Sequence, residues 1–331
     1  MAETERESIL EIKDLSIAYP ISIGTVRAVE GVSLSVRKGE VLGLVGESGC
    51  GKSTLGLSVL QLMKPPGRVT GGSILYKGRS GESRDILAMG QKELLDLRGK
   101  NIAMIFQNPL TSLDPLVSVE DHFIEAIQVH ESEVKRKDAI ARAEAILADL
   151  GIESRRLTEY PYQLSGGMRQ RIMIGLALIL HPDLLLADEP TTALDVIVEA
   201  GFTELLMKLK RLYDLTVVLI SHNLGLVAEM ADHIAVMYGG RIAELASVED
   251  IFAHPLHPYT RGLMDCVPNI LLDQKELTAM PGSPPDLVNP GPCCPFAPRC
   301  PKAMDVCRSK TPRLVDYGGR YAACWLYERK D

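Results

Sequence analysis

From Val32 to Val36 apolar and polar residues alternate strictly (Val-Ser-Leu-Ser-Val), the period-two pattern of a strand with one buried face. Val41-Leu-Gly-Leu-Val45 is apolar throughout, as in a strand buried on both faces, so residues 8 to 45 read as β-rich. After Gly51 the period changes. Leu55, Val59, Leu62 and Met63 share one side of a helix, which Pro65-Pro66-Gly67 is expected to stop. A helical stretch follows at about 120 to 150, with Ala143, Ile146, Leu147 and Leu150 on one side and Gly151 suited to its C-terminal cap. Leu184–Ala187 and Val217–Ile220 are further buried-type strands beside helical patterns, which together predict an α/β fold around a parallel sheet. Gly239-Gly240 reads as a tight hairpin turn between Ile234–Met237 and Arg241–Leu245. Past about residue 250 the pattern breaks: seven prolines between Pro281 and Pro298 disfavour regular helix, and a domain boundary is expected near 245 to 255.

Composition narrows the role. Of 331 residues 46% are apolar, ample for a core, and the net charge of -7 offers no basic surface for nucleic acid or anionic lipid. The longest aliphatic run, Ile172–Leu180, falls short of the roughly 20 residues needed to span a bilayer. The polar N-terminus, MAETERESIL, has no signal-like apolar core. A role in transport would therefore need separate membrane-spanning partners. Cys50 and Cys266 stand alone, whereas Cys293, Cys294, Cys300, Cys307 and Cys324 crowd the tail. Without a signal peptide, such a group reads more readily as metal ligands than as disulfides.

Gly46-Glu-Ser48-Gly49-Cys-Gly51-Lys52-Ser53-Thr54 matches the phosphate-binding pattern G-x-x-x-x-G-K-[ST] between a buried strand and a helix. Glycines let backbone N–H groups turn inward to phosphate oxygens, and the helix adds its positive end. Lys52 can reach the β- and γ-phosphates of ATP, and the Ser53 hydroxyl can bind Mg²⁺. The strand Leu184–Ala187 runs into Asp188-Glu189-Pro190 and delivers two carboxylates to the end of the sheet where ligands bind. Asp188 is suited to hold Mg²⁺, usually through water, and Glu189 to polarise the attacking water.

With these in place, Leu164-Ser165-Gly166-Gly167-Met168-Arg169-Gln170-Arg171 resembles the LSGGQ signature of ATP-binding cassette (ABC) proteins, with Met168 in place of the usual Gln. The resemblance extends over roughly residues 8 to 245 and implies a P-loop NTPase fold: a RecA-like core, an antiparallel β subdomain and an α-helical subdomain at about 108–165. It also implies that the Ser165, Gly166 and Gly167 cradle serves the ATP of a second ATPase subunit, so that two ATPs are sandwiched in a dimer. Gln107, in Ile-Phe-Gln-Asn-Pro, matches the Q-loop, which contacts Mg²⁺ and water and senses the membrane partner. His222 matches the switch histidine near the γ-phosphate, Thr192-Ala-Leu-Asp195 matches the D-loop, and Tyr19 is the candidate for stacking on adenine. Soluble ABC ATPases acting on DNA or ribosomes, and exporter halves, are the competing classes. No coiled-coil insertion, second cassette, basic patch or fused membrane helix points to either.

Ile251-Phe-Ala-His254-Pro-Leu-His257-Pro-Tyr259-Thr-Arg-Gly-Leu263 is similar to the segment that follows the cassette in dipeptide and oligopeptide importers of this family. Read by itself it is a pair of X-Pro turns leading into a helix, with His254 and His257 as a lesser candidate for metal ligands. Gly291-Pro-Cys-Cys-Pro-Phe-Ala-Pro-Arg-Cys300-Pro resembles the importers' tail pattern G-C-x-F-x-P-R-C-P, except that Pro292 and Cys293 are inserted. Spacing to Cys300 favours Cys294 over Cys293. The ligand set implied is Cys294, Cys300, Cys307 and Cys324, in a small C-terminal domain (251–331) after a cassette of residues 1–250. The missing C-x₂₋₄-C pairs argue against zinc, and the resemblance favours a [4Fe-4S] cluster of structural role; zinc or free thiols are the alternatives. The resemblance further implies a peripheral ATPase on the cytoplasmic face of the membrane, joined to two transmembrane permease subunits and served by an extracytoplasmic solute-binding protein. Gly-Met after Leu-Ser-Gly resembles one of two ATPase types in these importers and implies a heterodimer. Short peptides are the expected cargo, with nickel chelates, glutathione and oligosaccharides as alternatives.

Overall fold

The computed structural model describes residues 7–78, 81–107, 112–192, 196–266 and 280–327. The chain forms two compact units: Met1–Lys77 with Ser83–Leu87 and Leu219–Asp331, and Gly78–Glu82 with Ala88–Val218.

In the first unit β1 (Ser8–Ile21) and β2 (Gly24–Arg37) pair antiparallel, with Leu10 opposite Val36 and Ile12 opposite Leu34. The alternation at Val32–Val36 holds: Val32, Leu34 and Val36 are buried, Ser35 is exposed and Ser33 lies between. β3 (Val41–Val45) is buried along its length and leads through the glycine-rich loop to α1 (Lys52–Val59). The helix ends earlier than expected. Gln61, in the left-handed region at φ 49, stops it: its N–H donates to Ser58 O, and the Leu62 N–H to Leu57 O. Leu62 and Met63 thus lie past the helix, and the stop precedes the proline pair. β4 (Arg68–Lys77) and β5 (Ser83–Asp85) complete an antiparallel sheet of order β2-β1-β4-β5.

The second unit holds α2 (Gln91–Leu97), β6 (Ile102–Ile105), α3 (Val119–Gln128), α4 (Arg136–Asp149), α5 (Gly166–Leu178), β7 (Leu184–Asp188) and α6 (Val196–Tyr213). The helical stretch expected at 120–150 is two helices, α3 and α4. The two helices pack together, and Phe123 and Ile127 of α3 and Ala139, Ala143 and Leu147 of α4 are fully buried. Gly151 caps α4 as read, at φ 68 with its N–H on Ala148 O. β8 (Thr216–Ser221) begins in this unit and ends in the first.

Back in the first unit come α7 (Leu224–Met230), β9 (His233–Tyr238), β10 (Arg241–Ser247), α8 (Val248–Ala253), α9 (Pro258–Asp265), α10 (Asp305–Ser309), β11 (Val315–Asp316) and β12 (Tyr321–Ala322). The Gly239-Gly240 hairpin forms, with Tyr238 opposite Arg241. Strand order is β11-β12-β10-β9-β3-β8 in the first unit and β8-β7-β6 in the second. The pairs β3·β9 and β6·β7 are parallel, but β9·β10, β10·β12 and β11·β12 are antiparallel. The sheet is mixed, because the two-residue hairpin forces β10 to run back beside β9 and the tail adds strands to that edge. The tail is pinned by main-chain and side-chain bonds. Ala323 N–H donates to Ala243 O, and the fully buried Glu244 carboxylate accepts from the N–H groups of Leu256 (2.7 Å) and His257 (2.8 Å). No helix among the described residues is long and apolar enough to cross a membrane.

Candidate functional site

The glycine-rich loop is a close-fitting turn between β3 and α1. Gly51 caps α1 at φ 106, and an added Cβ there would run into the Ala28 carbonyl; one on Gly46 would meet the Met237 carbonyl. Backbone carbonyls cannot swing aside as flexible side chains can, so only glycine fits. Lys52 opens the helix with its side chain buried, and its Nζ donates to the carbonyls of Gly46 (2.7 Å) and Glu47 (3.0 Å). A cation is thereby fixed against the loop that carries Ser48 and Gly49, with Ser53 and Thr54 in the first turn of α1. Burial pushes the thiol of Cys50, within the same loop, above its ordinary pKa, so it stays protonated and unreactive. Also in this unit, Tyr19 of β1 lays its ring against Gly67. His222 is exposed in the turn between β8 and α7, beside Asn223, whose side chain caps α7 by accepting from Gly225 and Leu226 N–H.

In the second unit β7 ends on Asp188, a carboxylate only 4% exposed. Glu189 follows in the left-handed region at φ 44, a conformation costly for a residue with a Cβ and typical of functional turns. Its Oε2 accepts from Gln107 Nε2 at 2.8 Å and from the Thr192 hydroxyl at 3.1 Å. The glutamine after β6 and the glutamate after β7, read separately from the sequence, thus meet side chain to side chain. Two supports escaped that reading. Thr192 orients the carboxylate, and buried Gln170 of α5 donates to Pro190 O at 2.8 Å, tying the helix after the signature to the Glu189 turn. A polar residue on the buried side of α5 was the available signal for Gln170. Ser165 caps α5 by accepting the Met168 N–H at 3.3 Å. An added Cβ on Gly166 would meet nothing within 4 Å among the described residues, so that glycine is not needed for internal packing. Asp195 lies outside the described residues.

All seven cysteines are unbridged; in the tail Cys294 and Cys307 are buried, Cys300 and Cys324 partly so. Burial first, then the charges of Cys307 and Cys324, push the Cys294 thiol up to about 11; Cys300 and Cys324 are also raised, by burial and by neighbouring thiols of the set. Yet among the described residues no three His, Cys, Asp or Glu side chains are arranged to hold a metal ion. The metal centre expected for the tail is thus not supported by the geometry. His257 is buried and caps α9 by accepting the Tyr259 N–H at 3.0 Å.

Residues 29–192 match the ABC transporter family, and residues 243–307 match the oligopeptide/dipeptide transporter C-terminal region. The chain is 44% identical to the dipeptide transport ATP-binding protein DppD of Bacillus subtilis, covering 98% of this chain and 96% of that protein. It is 40% identical to the oligopeptide transport ATP-binding protein OppD of Salmonella typhimurium, covering 96% and 93%. Among solved structures, the dimeric bacterial ABC transporter cassette MJ0796 superimposes at a TM-score of 0.63 with 27% identity, over 72% of this chain and 98% of that one. A phosphate loop, a paired glutamine and glutamate, a capped signature helix and near-full-length likeness agree: the chain belongs to the ABC transporter family, as a P-loop ATPase carrying the C-terminal region of oligopeptide and dipeptide transporters.

Proposed function

We propose that this chain hydrolyses ATP to drive import of di- and oligopeptides through separate permease subunits. The hydrogen bond from Gln107 to Glu189 carries the hydrolytic part, because it joins a carboxylate able to take a proton from water to an amide able to orient that water. Lys52 and the loop N–H groups bind the β- and γ-phosphates, Tyr19 stacks on adenine, and His222 contacts the γ-phosphate. Magnesium, when bound, neutralises phosphate charge; its proposed donors, Ser53, Asp188 and Gln107, are hard oxygens of the kind it prefers. Ser165, Gly166, Gly167 and Asp195 act on the nucleotide of a second ATPase subunit. The open space beside Gly166 and the dimeric state of MJ0796 support that assignment.

Likeness to proteins named for dipeptide and oligopeptide transport supports the cargo. We infer a heterodimer with a second ATPase, an extracytoplasmic solute-binding protein, and a peripheral position at the cytoplasmic face of the membrane. Residues 1–250, with a helical part at about 108–165, form the cassette, and 251–331 the C-terminal domain. The test is ATP-driven dipeptide uptake into proteoliposomes holding the complete transporter. Uptake should vanish with Lys52→Ala; ATP-driven uptake of another solute and not of peptides would sink the cargo assignment. For the tail, a [4Fe-4S] cluster on Cys294, Cys300, Cys307 and Cys324 rests on the sequence resemblance alone. Anaerobically purified protein should then contain about four irons per chain by the cluster's stoichiometry; colourless, iron-free protein refutes it.

A further inference from the structure

The second residue of the phosphate loop is an acid, Glu47, in a loop whose proposed ligand is a polyanion. An uncovered carboxylate there would repel a triphosphate. It is covered by the C-terminal region. Arg299 donates from Nη1 to one oxygen of Glu47 (2.7 Å) and from Nη2 to the other (2.9 Å), a two-pronged pair that fixes the carboxylate's orientation as well as its charge. The Arg299 side chain is only 6% exposed, so solvent screens the pair weakly. The guanidinium is itself held from several sides. Its Nε donates to Pro281 O at 2.9 Å, it lies over the Tyr238 ring at 5.8 Å, and Nη1 reaches the Tyr238 hydroxyl at 3.3 Å. The main chain of the same loop residue is held too: the Glu47 N–H donates to the hydroxyl of Tyr259, which is fully buried, at 2.9 Å. Tyr259 packs on Tyr238 and Phe296, with ring centroids 4.4 and 5.5 Å apart.

We propose that Arg299 is a positioning residue for nucleotide binding: it neutralises Glu47, and with Tyr259 it makes the C-terminal region a determinant of the phosphate loop's affinity for triphosphates. The proposal rests on the reading of that loop as the ATP site. A lysine in place of Arg299 would keep the charge but not the fork, so most of the masking survives it. Loss of the charge leaves a carboxylate beside the phosphates, and the penalty grows with the number of phosphate charges.

ATP and ADP dissociation constants, measured by calorimetry on the full chain, test this. Wild type is measured first: absence of ATP binding there defeats the reading of the loop, whereas the comparisons below concern Arg299 alone. Arg299→Gln should weaken ATP binding about tenfold, and ADP binding less. Glu47→Gln should weaken ATP binding less than Arg299→Gln does, and adding Arg299→Gln to Glu47→Gln should change the affinity by no more than about threefold. Rescue by removing the acid is something a merely structural arginine would not give. Unchanged affinity in Arg299→Gln, or no rescue in the double variant, overturns the proposal. If Arg299→Gln does not fold, the remaining variants decide. ATP affinity of the double variant within about tenfold of Glu47→Gln alone upholds charge masking; a loss of about tenfold or more defeats it.

Discussion

Glu189 and His257 show how a single residue is set by its surroundings. Glu189 sits in a strained turn and is gripped by Gln107 and Thr192, so its carboxylate is oriented ahead of any reaction. His257 is shaped by burial, which lowers its pKa to about 4 and keeps the imidazole neutral and able to cap α9. The unfolded chain takes up this proton near pH 6.5, the folded chain only near pH 4. Stability from this group is therefore full above pH 6.5 and falls as the pH drops from 6.5 toward 4, by about 3 kcal/mol at most. Urea unfolding across that window should show the decline in wild type, and His257→Asn, which keeps an acceptor at the cap, should flatten it. An equal slope in both proteins would remove His257 as the cause. From the sequence His257 read as part of a proline turn, and Glu189 as a catalytic candidate. What no local pattern disclosed was the company residues keep at a distance, since Gln170 and Arg299 owe their roles to partners brought close by folding.

At the level of elements, the strands and the loop were the most legible parts. An unbroken apolar strand, a glycine turn and a lysine-led helix are determined within a few residues of one another, so period and spacing suffice. Helix ends were less so. The first helix stops at Gln61 in a left-handed conformation that glycine or asparagine would have advertised and glutamine does not. The loop's geometry makes a sharp prediction. Gly51→Ala must place a Cβ against the Ala28 carbonyl at φ 106, which should cost roughly 3 kcal/mol or more and abolish nucleotide binding. Thermal melting and ATP titration check it, and a variant with wild-type stability and affinity would contradict the fit described for the loop.

Across the whole molecule, the tail is part of the first unit, not an appendage to it. β12 pairs with β10, Glu244 anchors the turn before α9, and Arg299 reaches the phosphate loop. The dimeric reading is tested at this scale. Glu189→Gln should keep ATP binding, slow turnover by about 10² to 10⁴, and hold the chain and its second ATPase as an ATP-dependent dimer on gel filtration. Rapid turnover in that variant would remove Glu189 as the base. The sequence alone determined β1 to β3 and β7 to β10, though not β4 to β6, together with the phosphate loop, the catalytic candidates and the family, because each rests on periodicity or on contiguous motifs. The mixed sheet, the early end of the first helix, the grip on Glu189 and the Arg299–Glu47 pair, 252 residues apart, were decided only by tertiary structure. Such pairings exist only once a common core has drawn distant segments together, and no spacing along the chain encodes that distance.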